Sequence, residues 1–149
     1  MEDFPITREG IQTLQDFIAA QEGAFFGDSD NCPLKHSFAE GVYMREMFVP
    51  KGALIAGKIH NLEHVNILAS GTMEVMTEDG TGTITGPCSF VTRAGIMKIG
   101  LAITDCVWIN VLPNPDNCKE IEILEKRFVS ISYEEHNRFI EEKQKSLAS

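Results

Sequence analysis

Residues 51–75 read KGALIAGKIHNLEHVNILASGTMEV, with two histidines four residues apart and a lysine two residues before the first. Successive side chains of a β-strand point to opposite faces, so Lys58 shares a face with His60, and His64 shares one with Asn66. If both strands turn that face inward, two imidazoles and an ammonium group meet in one cavity. The alternative is that these side chains face solvent.

Short β-rich runs separated by Gly, Pro and Asp surround this stretch. They read VYMREMFVP, ALIAGKIH, HVNILAS, TMEVMTE, GTGTITG, CSFVTRAG, MKIGLAIT and CVWINVLP. β-Branched and aromatic residues favour strands, and glycine and proline mark the turns between them. About eight such runs in roughly seventy residues predict a mainly β fold, a sandwich or small barrel, rather than a parallel sheet with crossover helices.

Helical patterns flank the β region. TREGIQTLQDFIAAQE, residues 7–22, predicts an amphipathic helix, and GAFFGDSDNCPLKH after it predicts a loop. After PNPDN, two further segments, CKEIEILEKRFVS and SYEEHNRFIEEKQKS, predict C-terminal helices. The predicted organisation is one domain in three parts: an N-terminal helix and loop at 1–40, a barrel at 41–113 and a helical extension at 114–149. The apolar face of the first helix consists of Ile11, Leu14, Phe17 and Ile18.

Composition excludes several classes of partner. The net charge of -9 and the pI near 4.8 argue against binding nucleic acid through the overall field of the protein. No apolar run approaches the roughly 20 residues needed to cross a bilayer, and the N-terminus lacks a signal-peptide pattern, so we expect no membrane partner and a cytoplasmic protein. The four cysteines form no CxxC pair and are expected to be reduced.

The spacing of the histidine stretch resembles the first motif of the cupin family. That motif reads G, five residues, H-x-H, three or four residues, E, six residues, G, and every interval fits Gly52, Lys58, His60, His64 and Gly71. The second motif reads G, five residues, P-x-G-x-x-H, three residues, N.

The sequence PCSFVTRAGIMKIGLA resembles this second motif less closely. Arg93 stands at its proline, Gly95 at its glycine, Lys98 at its histidine and Ala102 at its asparagine, and Gly86 lies one residue early.

The resemblance covers about residues 42–113 and implies a double-stranded β-helix, the small jelly-roll barrel of cupins. More narrowly, MREMFVPKGALIAGKIHNLEHVNIL resembles small cupin-like proteins of tailed phages and prophages, whose function is mostly unassigned. Cupins commonly pair through their sheets, so the resemblance also implies a homodimer.

Metal-binding cupins carry three histidines and a glutamate where this chain has Lys58, His60, His64 and Lys98. A lysine ammonium has no lone pair to donate, and two cations repel a divalent ion. We therefore expect no metal and no cofactor. If a metal binds, its ligands are His60 and His64, with a third from Glu46 or Glu63.

A cavity with two ammonium groups and two imidazoles favours an anionic guest. The predicted function is binding of a small anionic metabolite or nucleotide-like signal, with Asn66 beside the main contacts. Three further residues carry open alternatives: Trp108 as a stacking surface or core, Asn110 as a polar contact on its face, and Arg93 as an anion contact or an exposed turn residue. The alternative function is a metal-independent isomerase, epimerase or lyase with a histidine base, for which Tyr43 is the candidate second acid.

Overall fold

The computed structural model describes residues 7–19, 32–130 and 132–148. Three helices and eleven strands occur in these ranges: α1 Arg8–Ala19, β1 Leu34–Ala39, β2 Gly41–Val49, β3 Leu54–Ala56, β4 Ile59–His60, β5 His64–Ser70, β6 Thr72–Thr77, β7 Gly80–Thr85, β8 Cys88–Thr92, β9 Ile99–Ala102, β10 Cys106–Asn114, α2 Ile121–Phe128, β11 Val129–Ser130 and α3 Tyr133–Ala148.

Two antiparallel sheets enclose the main core. The first sheet has strand order β1-β2-β10-β5-β8, the second has order β3-β9-β6-β7, and β4 pairs separately with β11. Alternation along each strand sends one set of side chains inward, as in β10, where Trp108, Asn110 and Leu112 are buried and their neighbours are not. The mainly β fold class is confirmed.

Sharp turns join the strands at the positions where glycine is required. Gly71, between β5 and β6, has a φ of 93°, and a Cβ placed there would collide with the backbone carbonyl of Asp105. A hairpin joins β6 and β7, because Thr77 pairs with Gly80 and leaves a two-residue loop.

The helices pack on different parts of the barrel. Ile11 of α1 is buried against Ile59, Met97 and Ile99 of its own chain, as the amphipathic pattern predicts. The side chains of Leu14, Phe17 and Ile18, the rest of that predicted apolar face, lie outside what the structure describes, as do residues 20–31.

Helix α2 closes one end of the barrel. Its Leu124 and Phe128 pack on Tyr43 and Leu112 of the first sheet. The chain then continues directly into β11, where Val129 pairs with His60. No helix in the described ranges is long and apolar enough to span a membrane.

Three boundaries differ from the sequence prediction. Part of the predicted loop is strand β1, because Leu34 and its neighbours pair with the edge of β2. The run ALIAGKIH divides into β3 and β4, with Gly57 and Lys58 between them. The predicted helix over residues 118–130 ends at Phe128, since the next two residues pair with β4. In each case, pairing with another strand outweighs the local pattern.

His136, on the otherwise largely polar helix α3, is buried. Its Nδ1 lies 2.9 Å from Asn61 Oδ1, which also accepts a hydrogen bond from Ser130 Oγ at 2.7 Å. This network ties α3 to the β4–β11 pair and gives His136 a structural role.

Candidate functional site

A cavity of about 320 Å³, hereafter the barrel cavity, lies between the two sheets. Its walls come from β2 and β10 of the first sheet, from β3, β6 and β9 of the second, and from the segments around them. The polar and charged side chains that line it are Arg45, Lys58, His60, Lys98, Asn110 and Glu125. Four of these, Lys58, His60, Lys98 and Asn110, were predicted as site residues.

The two lysines reach the barrel cavity from segments that approach each other closely. The amide of Gly57 donates a hydrogen bond of 2.9 Å to the carbonyl of Lys98. A Cβ at Gly57 would lie 2.8 Å from that same oxygen, so a larger residue would separate the segments. Lys58 lies outside a strand and is exposed, whereas Lys98 is partly buried. Glycine at position 57 thus allows both lysines to line one cavity.

His60 and His64 converge as the spacing predicted. Their rings are stacked, with centroids 4.1 Å apart and planes inclined by 30°. His64 Nδ1 lies 3.0 Å from the carbonyl oxygen of Leu62, and because a carbonyl only accepts, this nitrogen carries the hydrogen. The lone pair on His64 Nε2 is therefore available to Lys98 Nζ, 3.5 Å away at the long limit of a hydrogen bond.

Burial keeps both imidazoles neutral. Desolvation, and next the charge of Lys98, lower the pKa of His64 to about 4, despite smaller opposing contributions from hydrogen bonds with Leu62 and Asn66. Desolvation, followed by repulsion from His64, Lys98 and Arg45, lowers the pKa of His60 well below its ordinary value. Both imidazoles are therefore neutral at pH 7.

Lys98 is also affected by burial, which lowers its pKa to about 8. The ammonium form still predominates at neutral pH. At neutral pH the lining of the barrel cavity therefore includes the charged Lys98 and the neutral imidazole of His60. His64, predicted as a site residue, is buried and does not line the cavity; it accepts from Lys98 and stacks on His60.

A polar network supports one wall of the barrel cavity. Asn110 donates from Nδ2 to Asn66 Oδ1 at 2.8 Å, and Asn66 donates from Nδ2 to Thr92 Oγ1 at 2.7 Å. All three side chains are buried. Asn110 lines the cavity, whereas Asn66 lies behind it and fixes its orientation. The structure therefore places Asn66 behind the cavity wall as a support and Asn110 at the cavity surface.

Trp108 lies two residues before Asn110 on the same face of β10 and is 7% exposed. It belongs to the main core and also lines the barrel cavity, with Phe90 against it edge to face at 5.8 Å. Trp108 can therefore belong to the core and also present a surface for stacking.

Arg93 is not brought to the barrel cavity. It is exposed, and its guanidinium donates to Asp79 Oδ1 at 3.0 Å and lies 3.8 Å from Glu78. Such an exposed pair is worth little energy, and it places Arg93 among the exposed turn residues. Tyr43 is likewise distant, because its hydroxyl bonds His36 Nδ1 at 2.6 Å within the cluster that packs on α2.

Two charged lining residues were missed as site residues. Arg45 faces inward with the buried Tyr43 and Val49 of β2, so strand alternation could have selected it over Glu46. Glu125 lies on α2, and nothing local indicates that this helix face meets the barrel cavity. The lining thus carries three cations and one carboxylate.

The donor set does not fit a cupin-type metal. Among the residues that the structure describes, no three His, Cys, Asp or Glu side chains are grouped to hold an ion. Glu63 is exposed and Glu46 lies on the outward face of β2, so neither supplies the third ligand. His64 also has both nitrogens engaged, with Leu62 and with Lys98.

Comparison with known proteins identifies the fold. No protein-family model matches the chain, and no curated protein matches it. Among solved structures, the chain is similar to an RmlC-like cupin from Shewanella frigidimarina, with 15% identity, 68% of this chain and 96% of that chain covered, and a TM-score of 0.52. It is also similar to a cupin superfamily protein from Desulfitobacterium hafniense, with 9% identity, 67% and 86% covered, and a TM-score of 0.50. Identities this low establish the fold alone.

Proposed function

We propose that this chain, which has the double-stranded β-helix fold of cupins, binds a small anionic molecule in the barrel cavity without a metal ion. The observation that carries the proposal is the set of Arg45, Lys58 and Lys98 around one cavity in a protein of net charge -9. Cations gathered in a partly dry space form strong charge-assisted hydrogen bonds with carboxylate or phosphate. The ligand class is a metabolite or nucleotide-like signal.

The neutral groups of the barrel cavity support this proposal. His60 Nδ1 is buried and has no hydrogen-bond partner among the described residues. An unsatisfied buried polar atom costs about 1–3 kcal/mol, which a ligand bonded to this nitrogen would recover. Asn110, held by Asn66, provides a second neutral contact.

Native mass spectrometry tests the proposal on protein purified without a histidine tag, with elemental analysis of the same sample. We expect an added anionic mass that disappears in Lys98→Ala and Lys58→Ala and persists in Lys143→Ala, which removes an exposed lysine of α3. Stoichiometric zinc, iron, nickel or manganese would contradict metal-free binding and favour a site at His60 and His64.

The biological role that fits this proposal comes from the resemblance to cupin-like proteins of phages. Such a protein, present in the cytoplasm of an infected host, would sequester a host signalling molecule. Its signature is tight binding without turnover.

The second candidate function is a metal-independent isomerase, epimerase or lyase. One observation favours it: His60 lines the barrel cavity as a neutral imidazole whose Nδ1 has no hydrogen-bond partner among the described residues, and the Lys98 ammonium in the same lining can stabilise an oxyanion. Incubation of the copurified ligand with protein in D₂O separates the two functions. An enzyme exchanges a ligand proton or changes the ligand, and His64→Gln and His60→Gln lose that activity, whereas a binding protein returns the ligand unchanged.

A homodimer completes the proposal, with the outer face of the first sheet as its interface. Met44, Val111, Val65 and Val91 form one row across this face, and Val91 is 63% exposed. Exposed apolar residues in a continuous row are typical of protein interfaces. Sedimentation equilibrium should give a dimer for the wild type and a monomer for Val91→Lys; a wild-type monomer at high concentration would refute this part.

A further inference from the structure

The barrel cavity is divided along its strands into a polar part and an apolar part. In the first sheet, Asn110 pairs with Arg45 on one side and with Asn66 on the other, which makes one polar row. Two residues further along the same inner face, Trp108 pairs with Met47 and with Leu68. Because these rows lie two residues apart on antiparallel strands, the change from polar to apolar occurs over about 7 Å.

Within the described part of the chain, the second sheet contributes no polar side chain to the lining. Val75 and Ile55 flank Gly100 in register, and Met73 lies two residues before Val75 on β6. The apolar wall, which we call the apolar end, is formed by Met47, Ile55, Met73, Val75 and Trp108. All five belong to the main core or pack directly against it. A ligand group in this part of the cavity would therefore contact aliphatic side chains and the indole ring of Trp108.

The charged part, which we call the cationic end, contains Arg45, Lys58 and Lys98 with His60. Glu125 lines the same cavity from α2, so the three cations are partly offset by one carboxylate. A compact anion of one or two charges matches this balance. A polyphosphate would bring a larger negative charge beside Glu125, where like charges repel.

We infer that the ligand is amphipathic: a small anionic head group joined to an apolar chain or ring, such as a medium-chain or aromatic carboxylate. The inference rests on the proposed anion-binding function and narrows it. The head group occupies the cationic end, and the tail lies along the apolar end against Trp108. A sugar phosphate or nucleotide fits less well because its hydroxyl groups would lose water without gaining partners there. At ~30 Å³ per water, the cavity holds roughly ten waters, which matches a medium-chain acid.

The test is a series of straight-chain carboxylates, from acetate and butanoate to hexanoate and octanoate, titrated at pH 7 by calorimetry. Each methylene that packs against the apolar end should tighten binding about fourfold. Octanoate, with four more methylenes than butanoate, should therefore bind roughly 200-fold more tightly. Octanol, which lacks the charge, should bind far more weakly than octanoate.

A matched pair of variants locates the tail. Met47 faces the apolar end of the cavity, and Met44 lies on the outward face of the same strand. Met47→Gln should reduce the gain from butanoate to octanoate at least fivefold, whereas Met44→Gln should leave it unchanged. Equal effects of the two variants would overturn the placement of the tail.

The series also separates failure of this inference from failure of the proposed function. If acetate and inorganic phosphate bind but longer chains bring no gain, the anion site stands and the amphipathic ligand is refuted. Tighter binding of adenosine monophosphate than of octanoate would refute it as well. If none of these anions binds, the proposed function itself fails.

Discussion

Replacement of Lys98 by methionine should stabilise the fold at neutral pH while it weakens anion binding. Burial lowers the pKa of Lys98 from 10.5 to about 8, so the charged ammonium group destabilises the folded state. At ~1.4 kcal/mol per pH unit the cost is about 3 kcal/mol, an upper estimate because the side chain is only partly buried. Methionine has a similar shape, is flexible and carries no charge.

The pH dependence of this gain follows from the sign of the shift. Below pH 8 the lysine is protonated in both the folded and the unfolded state, and the wild type bears the full cost. From pH 8 to 10.5 the folded wild type loses the proton first, so the cost falls and approaches zero above that range. The variant should therefore be more stable than wild type by about 1–3 kcal/mol at pH 7 and nearly equal to it above pH 10.5.

Urea unfolding measured by Trp108 fluorescence provides the assay, because Trp108 is the only tryptophan and lies in the cavity wall. Lys143→Met, on the exposed face of α3, is the control and should change stability by less than about 0.5 kcal/mol. A Lys98→Met variant that is less stable at pH 7, with a difference from wild type that does not vary with pH, would refute the reasoning. Octanoate affinity should fall at least tenfold in the same variant.

Three further predictions concern stability. The pKa of His64 is about 4 in the folded state and 6.5 in the unfolded state, so the unfolding free energy of the wild type should fall by about 3 kcal/mol as the pH drops from 6.5 to 4. In urea unfolding, His64→Gln should not show this part of the decrease. Gly71→Ala should lower the free energy of unfolding by more than about 2 kcal/mol, because the new Cβ meets a positive φ and collides with a carbonyl. Gly52→Ala, with positive φ but open space around the Cβ, should lower it by about 1 kcal/mol. Equal losses in thermal unfolding would contradict the collision. Arg93→Ala should change stability by less than about 0.5 kcal/mol and leave octanoate binding intact, and a large loss of binding would place Arg93 back at the site.

The sequence determined the strands, the turns and the meeting of the two histidines. Strand alternation, a two-residue hairpin and glycines at positive φ depend on steric rules that act over a few residues, so their pattern is readable in the chain. The intervals from Gly52 to Gly71 fit a known barrel, and the stacked rings of His60 and His64 agree with them.

Only the tertiary structure decided which other residues join the site. Glu125 lines the barrel cavity because α2 closes the barrel and β11 pairs with His60, contacts between segments about seventy residues apart. Arg93 does not line the cavity, because the hairpin between β6 and β7 brings Asp79 close enough to accept its hydrogen bond. Burial, which lowers the pKa values of His64 and Lys98, likewise depends on the packing of both sheets. Local sequence indicates most of the strands, but the charge, shape and burial of the cavity arise only when distant strands and a helix enclose it.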